Sequence, residues 1–325
     1  MPAYLWALHV QLPSVTRLGE GRAMDRSASL MIYDRLDYAS AWQLQHKLVE
    51  DRLAGRRGDT LLLLEHNPVF TIGRSGKLSH YREIDASCQD RDQLHTGVPV
   101  FHVERGGSVT YHGPGQLVAY PILKLRSYCG GPKTYMRLLE EVVIRVLACW
   151  GIPAQRMDKL TGVWVHDGQT DRKDGQQQGH DARRDGQHER EQNSDMEKIA
   201  AMGVRIARGM TMHGFALNVS VDLNPFGSIV PCGISDCRVT SMARLLGRPA
   251  DLGAVRAQTI EAFAEVFGLT WIHSETAGLP DPRVTRVPVS DLGSPATTTP
   301  ASLGRRRSEI TPQVPTQDPV AGGLL

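Results

Sequence analysis

No apolar run in the 325-residue chain approaches the ~20 residues that a membrane-spanning helix requires. The opening stretch, MPAYLWALHVQLPSVTRLGEG, carries an apolar patch with no basic region before it and no clear small-residue cleavage site, so a secretory signal is not expected. Charge of one sign is also lacking. Lys and Arg number 37 against 35 Asp and Glu, a net +2 that is no nucleic-acid signature. Cysteine is scarce and odd in number, at irregular spacings (Cys88, Cys129, Cys149, Cys232, Cys237). A chain of this length needs no covalent staples, so reduced thiols in a cytoplasmic protein are expected. What is present is an ordinary globular balance, 41% hydrophobic and 22% charged, enough for a sizeable core.

Three stretches lack core-forming pattern. Residues 1–28 show no sustained period. Residues 168–195, GQTDRKDGQQQGHDARRDGQHEREQNSD, are Gln, Gly and charge, and cannot bury enough surface to offset their ordering entropy. Residues 276–325 are rich in Pro, Thr and Ser, with a GRRRSE patch at 304–309 that reads as a solvated basic run. One domain over 29–275, interrupted by a polar insertion, is therefore expected.

Within it, YASAWQLQHKLVEDRLAG predicts a helix with Tyr38, Trp42, Val49 and Leu53 on one face. KTYMRLLEEVVIRVLACWG predicts a second, apolar at Tyr135, Leu138, Leu139, Val142, Val143, Val146, Leu147 and Trp150, closing at Gly151. ADLGAVRAQTIEAFAEVFG predicts a third, closing at Gly268. Short β-like runs lie between them: TLLLLEH, VFTIG, VFHVER, LVAYPIL, GVWVH, VRIAR and FALNVSV. Strands and helices do not alternate strictly. The expected class is α+β, one domain with a mixed or antiparallel sheet and packed helices.

Three segments carry chemistry. RGGSVTYHGPGQLVAYPIL, residues 105–123, reads as a glycine-rich loop between strands, able to bring backbone N–H groups close to a ligand. Arg105 suits a carboxylate or phosphate, and His112 is its one group titrating near neutrality. It is neither a Walker A loop nor a dinucleotide fingerprint, and a pair of tight turns with a core-bonded His112 reads equally well. EKIAAMGVRIARGMTMHGFALNV, residues 197–219, reads as two strands joined through Gly209. Lys198 is there either a solvated strand end or a base drawn into a pocket wall, and His213 either core or site. In PFGSIVPCGISDCRVTSM, residues 225–242, Pro231 and Gly233 set Cys232 at the centre of a turn. That presentation suits a nucleophile and an inert loop cysteine alike. Cys232 and Cys237 lie close, but no second pair at recognisable spacing, nor His112 or His213, completes a zinc-ligand pattern, and a redox pair would more often be CxxC.

In their order, LLLLEHNPVFTIGR, RGGSVTYHGPGQLVAYPIL, GVWV with EKIAAMGVRIARGMTMHGFALNV, and IVPCGISDCRVTSM resemble the octanoyltransferases of lipoate biosynthesis. The resemblance runs from about Leu30 to Gly268. It implies an α+β fold related to biotin and lipoate protein ligase catalytic domains. It implies octanoyl transfer from acyl carrier protein to a lysine of the lipoyl domains of 2-oxoacid dehydrogenase complexes and of the glycine cleavage H protein. It implies an acyl-thioester on Cys232, with Lys198 lowering that thiol's pKa. It places substrate contacts at Arg105, Gly106, Gly107, Ser108, Val109, Thr110, Tyr111 and His112, at Ala201, Met202 and Gly203, and at Gly214, Phe215 and Ala216. It implies no metal and no cofactor beyond the carrier's own phosphopantetheine, and neither a nucleic-acid nor a membrane partner.

The insertion, the tail and Cys237 depart from the family pattern. A surface hairpin tolerates a long loop at small entropic cost, so the strand carrying Lys198 is expected to be intact. An octanoyl tail calls for an apolar tunnel, with Phe215, Val109 and Ile122 as wall candidates. Three other readings stand beside this one, the third a cysteine hydrolase, for which the sequence places no obvious histidine partner of Cys232. An ATP-dependent lipoate or biotin ligase on the same fold would need no cysteine, and a non-catalytic acyl-carrier-binding module would form no thioester.

Overall fold

The structure, a computed structural model, describes residues 26–77, 80, 97–167, 195–230 and 237–277. Four consecutive leucines reveal its layering. Leu61 to Leu64 lie in strand β2 (Asp59–His66) and all are fully buried. Successive strand side chains point to opposite faces, so an unbroken apolar run requires cover on both sides. Leu61 and Leu63 pack into the main core with α2 (Pro132–Cys149) and α4 (Leu252–Phe267). Leu62 and Leu64 pack into a second core against α1 (Tyr38–Leu53).

The strands of the main sheet are β1 (Ser27–Leu36), β2, β6 (Gln116–Ile122), β7 (Gln155–Met157), β8 (Leu160–His166), β9 (Met196–Ala207), β10 (Met210–Asn218), β11 (Arg238–Val239) and β12 (Thr270–Ala277). Their order is β12-β1-β2-β6-β10-β9-β8-β7, with β11 added beside β9. β1 runs parallel to β12 and β2, β11 runs parallel to β9, and the other pairings are antiparallel. A small sheet, β4-β3-β5, is made by β3 (Val69–Ile72), β4 (Val100–His102) and β5 (Val109–His112). The mixed sheet with packed helices is the expected α+β class.

Side chains cap the starts of α1 and α4, while α2 starts on Gly131 with Pro132 in its first turn and no side-chain cap. Asp37 caps α1 by accepting from the Ser40 N–H at 2.9 Å, and Asp251 caps α4 from Gly253 at 2.8 Å. Gly268 closes α4 in the left-handed region at φ 63°. A short helix α3 (Met242–Leu246) follows β11, capped by Ser241.

Several expectations change. The stripe that α1 buries is Tyr38, Ala41, Gln45, Leu48 and Val49, while Leu53 is 40% exposed at the helix end, beyond the reach of the sheet. On α2, Glu140 is buried among the apolar residues, where Arg137 and Arg156 neutralise it at 2.8 and 3.3 Å. Residues 109–112 are not loop but strand β5, hydrogen-bonded to β3. β1 starts at Ser27 and β12 reaches Ala277, each two residues beyond the expected domain limits. The proposed extension over 1–28 and tail over 276–325 lie almost wholly outside the described residues, as does the insertion. The hairpin that carries the insertion is paired to its base. His166 faces Met196, and the Asp167 N–H reaches the Asp195 carbonyl at 3.1 Å. The strand bearing Lys198 is intact, as expected.

Candidate active site

A β-bulge sets the position of Lys198. Trp164 of β8 pairs with Lys198 but the next residue back, Val163, pairs with Ala200, so β9 holds one residue too many at Ile199. Ile199 and Ala200 both enter the main core. The alternation therefore resets, and Lys198, Ala201 and Gly203 share the opposite face, toward α1. Bulges characteristically re-aim side chains in this way. Lys198 is 3% exposed and its ammonium sits 4.5 Å from the centroid of the Trp164 ring. Its stem passes Gly162, where a Cβ would come within 3.2 Å of Lys198 Cε.

On that face lies a narrow cavity of about 40 Å³, partly open to solvent. Two glycines make the room. A Cβ on Gly203 would stand 2.7 Å from the Gly106 carbonyl oxygen, and one on Gly214 would overlap the Ala119 carbonyl oxygen. Facing them is the 105–108 turn. Arg105 holds it: Nε and Nη2 donate to Thr71 Oγ1 at 3.2 and 2.9 Å, Nη2 to the Thr71 carbonyl at 2.6 Å, and Nη1 to the Gly106 carbonyl at 3.0 Å. Arg105 is thus turned inward as the brace of the loop, not outward as an anion clamp. Ser108 Oγ is hydrogen-bonded to His80 Nδ1.

His112 answers to both of its readings, because it is core-bonded and lines the cavity. Its Nδ1–H donates to Gln116 Oε1 at 2.7 Å, a tautomer assigned from the network. Gln116 Nε2 donates to Asn218 Oδ1 at 2.9 Å, and Asn218 Nδ2 to the Thr240 carbonyl at 2.9 Å. The Thr240 N–H then reaches the Lys198 carbonyl at 3.0 Å. A continuous polar chain thus ties the cavity wall to the backbone of Lys198. Burial, with the neighbouring His66 imidazole next, holds the His112 pKa well below its ordinary value, so the ring is neutral.

Of the expected substrate contacts, Arg105, Gly107, Ser108, Val109, Thr110, His112, Ala201, Met202, Gly203, Gly214, Phe215 and Ala216 line the cavity. Gly106 and Tyr111 do not; Tyr111 packs outward on Phe70 and Phe226. Ile122 belongs to the α1 core and is no wall residue. Tyr38, Val118 and Tyr120 line the cavity without having been expected there, and so does His213, for which core and site had both been open. Tyr38 and Tyr120 carry no signal beyond apolar periodicity. His213 does, standing in a strand directly before a glycine.

Cys232 lies outside the described residues. Its described flanks are informative. Before it, the Val230 N–H binds the His80 carbonyl at 2.7 Å. After it, β11 pairs with β9 so that Val239 faces Lys198. Cys237 packs against the Met157, Trp164 and Met196 cluster, with its thiol 3.8 Å from the Arg238 carbonyl oxygen.

A bulge-set lysine beside a glycine-floored cavity, on a mixed sheet with helices on both faces, defines a class. Residues 37–264 match the model of the lipoyl protein ligase A/B catalytic domain. Solved structures agree on the fold. A bi-partite lipoate protein ligase from Thermoplasma acidophilum superposes with a TM-score of 0.50 at 15% identity, covering 78% of this chain and 88% of that one. The P. falciparum LipL1 structure in complex with lipoate gives 0.51 at 12% identity, covering 76% and 66%.

Sequence relatives narrow the class. The chain is 41% identical over 250 residues to an octanoyltransferase of Chloroflexus aggregans, covering 77% of this chain and 99% of that protein. It is 42% identical over 264 residues to one of Acidobacterium capsulatum, covering 78% and 96%. The chain belongs to the octanoyltransferase family, and it is an acyltransferase.

Proposed function

We propose that the chain moves an octanoyl group from the phosphopantetheine thiol of acyl carrier protein to a lysine of a lipoyl domain, through a thioester on Cys232. The acceptors are the lipoyl domains of 2-oxoacid dehydrogenase complexes and the glycine cleavage H protein. The observation that carries this reading is the placement of Lys198. The Ile199 bulge turns it to the face of the sheet that carries the cavity, next to the lining residue Ala201 though not itself in the lining, and β11, which follows Cys232 in the chain, pairs directly beside it.

The chemistry runs in two exchanges. The Cys232 thiolate attacks the carrier thioester, the carrier thiolate leaves, and the Lys198 ammonium returns a proton to it. A nearby ammonium favours the attacking thiolate. The acceptor lysine then attacks the acyl-enzyme, the Lys198 amine removes a proton, and the Cys232 thiolate is released. Backbone N–H groups of the glycine-rich turn or beside Cys232 are candidate donors to the tetrahedral oxyanion, except that of Gly106, which binds the Val204 carbonyl at 2.9 Å. Gly107, Ser108, Val109, Gly203, Gly214 and Ala216 hold the acyl chain, with Arg105 bracing the turn. The exchanges need no cofactor and no metal, and the reading places the enzyme in the cytoplasm. No helix among the described residues is long and apolar enough to cross a membrane.

Incubation with octanoyl-carrier protein is expected to add one octanoyl group at Cys232, read by peptide mass spectrometry. An adduct elsewhere, or transfer that persists in Cys232→Ala and depends on ATP, would overturn the thioester route in favour of a ligase. Binding of the carrier with no adduct would leave only a binding module.

A further inference from the structure

His213 is the one residue of the cavity wall whose backbone and side chain are both in costly states. It lies within β10 at φ 58°, in the left-handed region that non-glycine residues seldom adopt. Its side chain is 1% exposed, yet neither ring nitrogen has a hydrogen-bond partner among the described residues. The nearest charged oxygen, Glu104 Oε2, is 3.9 Å from Nε2, and the ring meets the Tyr120 ring edge-on at 6.2 Å. The Glu104 carboxylate is already engaged by Trp42 Nε1 at 3.1 Å and His46 Nε2 at 2.9 Å. Local strain and an unpartnered buried polar group gather where a ligand is handled.

Its place in the sheet says which part of the ligand. From Lys198, the paired rows run through Ala200, Ala201 with Ala216, Met202 with Phe215, and Gly203 with Gly214, to Val204 with His213. Five rows at strand spacing put His213 about 17 Å from the Lys198 row. An octanoyl chain advances about 1.3 Å per carbon and spans about 9 Å. The rest is left for the thioester linkage and the lysine amine. Between the two ends the sheet offers the cavity Ala201, Ala216, Gly203 and Gly214, small side chains that leave the line of the strands open toward His213.

We propose that His213 is the chain-length-determining residue, the stop against which the methyl end of the acyl chain rests. This rests on the acyl-transfer reading above. Its left-handed backbone swings the imidazole across the line of the cavity, where the alternation of β10 would otherwise send it away. A chain two carbons longer has to displace that ring from a backbone conformation already held by the Gln45 side chain, whose Oε1 accepts from the His213 N–H at 2.9 Å.

The test compares transfer of decanoyl and octanoyl groups from carrier protein by the full chain and by His213→Gly, which accommodates the positive φ. The ratio of kcat/KM for decanoyl over octanoyl is expected to rise about fifteenfold, the factor that two further buried methylenes supply. His213→Asn, which also tolerates this backbone, is expected to give a smaller rise. An unchanged ratio in a variant that still transfers octanoyl overturns the proposal. So does equal loss of both substrates in a natively folded variant, which would make His213 a catalytic group. In the unmodified chain, the His213 imidazole resonances are expected to shift on octanoyl loading and not on butanoyl loading, and no difference between the two overturns the proposal without any variant. Failure of the unmodified chain to transfer octanoyl at all is a different result, striking the acyl-transfer reading itself.

Discussion

At the scale of single residues, the site depends on how two cations are held. Arg105 spends its donors on Thr71 and Gly106, so its charge organises a loop. Lys198 instead keeps its ammonium against an aromatic face, with Trp164 at 4.5 Å. A cation over an indole gains about 0.5–2 kcal/mol, more as water is excluded. Trp164→Leu removes that face from beside the ammonium. Acyl transfer is expected to slow about 3- to 30-fold at unchanged KM for the carrier protein, with Trp164→Phe in between. Steady-state kinetics on both variants check this, alongside thermal melting, because Trp164 also packs on Met157 and Met196. Equal rates in all three proteins would separate the Trp164 face from the lysine's task.

At the scale of elements, the cavity exists because strands approach too closely for side chains. Gly203→Ala places a methyl 2.7 Å from the Gly106 carbonyl oxygen and 3.1 Å from Arg105 Cδ. The 105–108 turn must then retreat from β9. A loss of about 1–3 kcal/mol in stability is expected by urea unfolding, with acyl loading of Cys232 slowed more than unfolding explains. An unaffected loading rate would show that the turn moves freely. Gly203 and Gly214 entered the sequence reading only through the family resemblance, although strand-interior glycines signal a close backbone approach. The three long helices and most strands were legible from their apolar periods and the Gly, Pro and Asn residues that bound them. What periodicity could not show was the bulge. KIAAM reads as an ordinary apolar strand, and only pairing with β8 reveals that Ile199 and Ala200 turn to the same side. The same holds for β5. Val109–His112 looks like a glycine-flanked loop until β3 supplies its partner. Tyr38 and Tyr120 were hidden for a related reason: their apolar spacing places them in a core, and only the packing of α1 over β6 shows that this part of the core is hollow.

At the scale of the whole molecule, the layer between α1 and the sheet is built around neutral imidazoles, and this ties stability to pH. His66 is fully buried and bonded at both nitrogens, Nδ1 to the Leu36 carbonyl at 2.9 Å and Nε2 to the Tyr120 hydroxyl at 2.8 Å. Burial pushes its pKa down to about 4, against a smaller upward pull from the Leu36 carbonyl and Asp37. Burial likewise takes His213 down to about 3, despite Glu104, with Arg105, His46 and Arg205 adding to the fall. In the unfolded chain each titrates near its ordinary value of about 6.5. Between those limits the unfolded state binds more protons, so stability falls as pH drops from about 6.5 toward 4, by up to about 1.4 kcal/mol per pH unit for each imidazole. Glu104 acts lower on the scale. Burial would raise its pKa, but the His46 hydrogen bond and the neighbouring charges outweigh this and bring it to about 2. Its contribution is present above 4.5 and is lost only as pH falls from there toward 2. Urea midpoints measured from pH 7 to pH 4 should therefore decline steadily and begin to do so above the carboxylate range. His66→Gln, which cannot charge, should flatten part of that slope even if it lowers the midpoint at neutrality. A midpoint constant down to pH 4.5 would mean that the imidazoles find hydrated, protonated positions without unfolding, and that this layer is looser than its packing indicates.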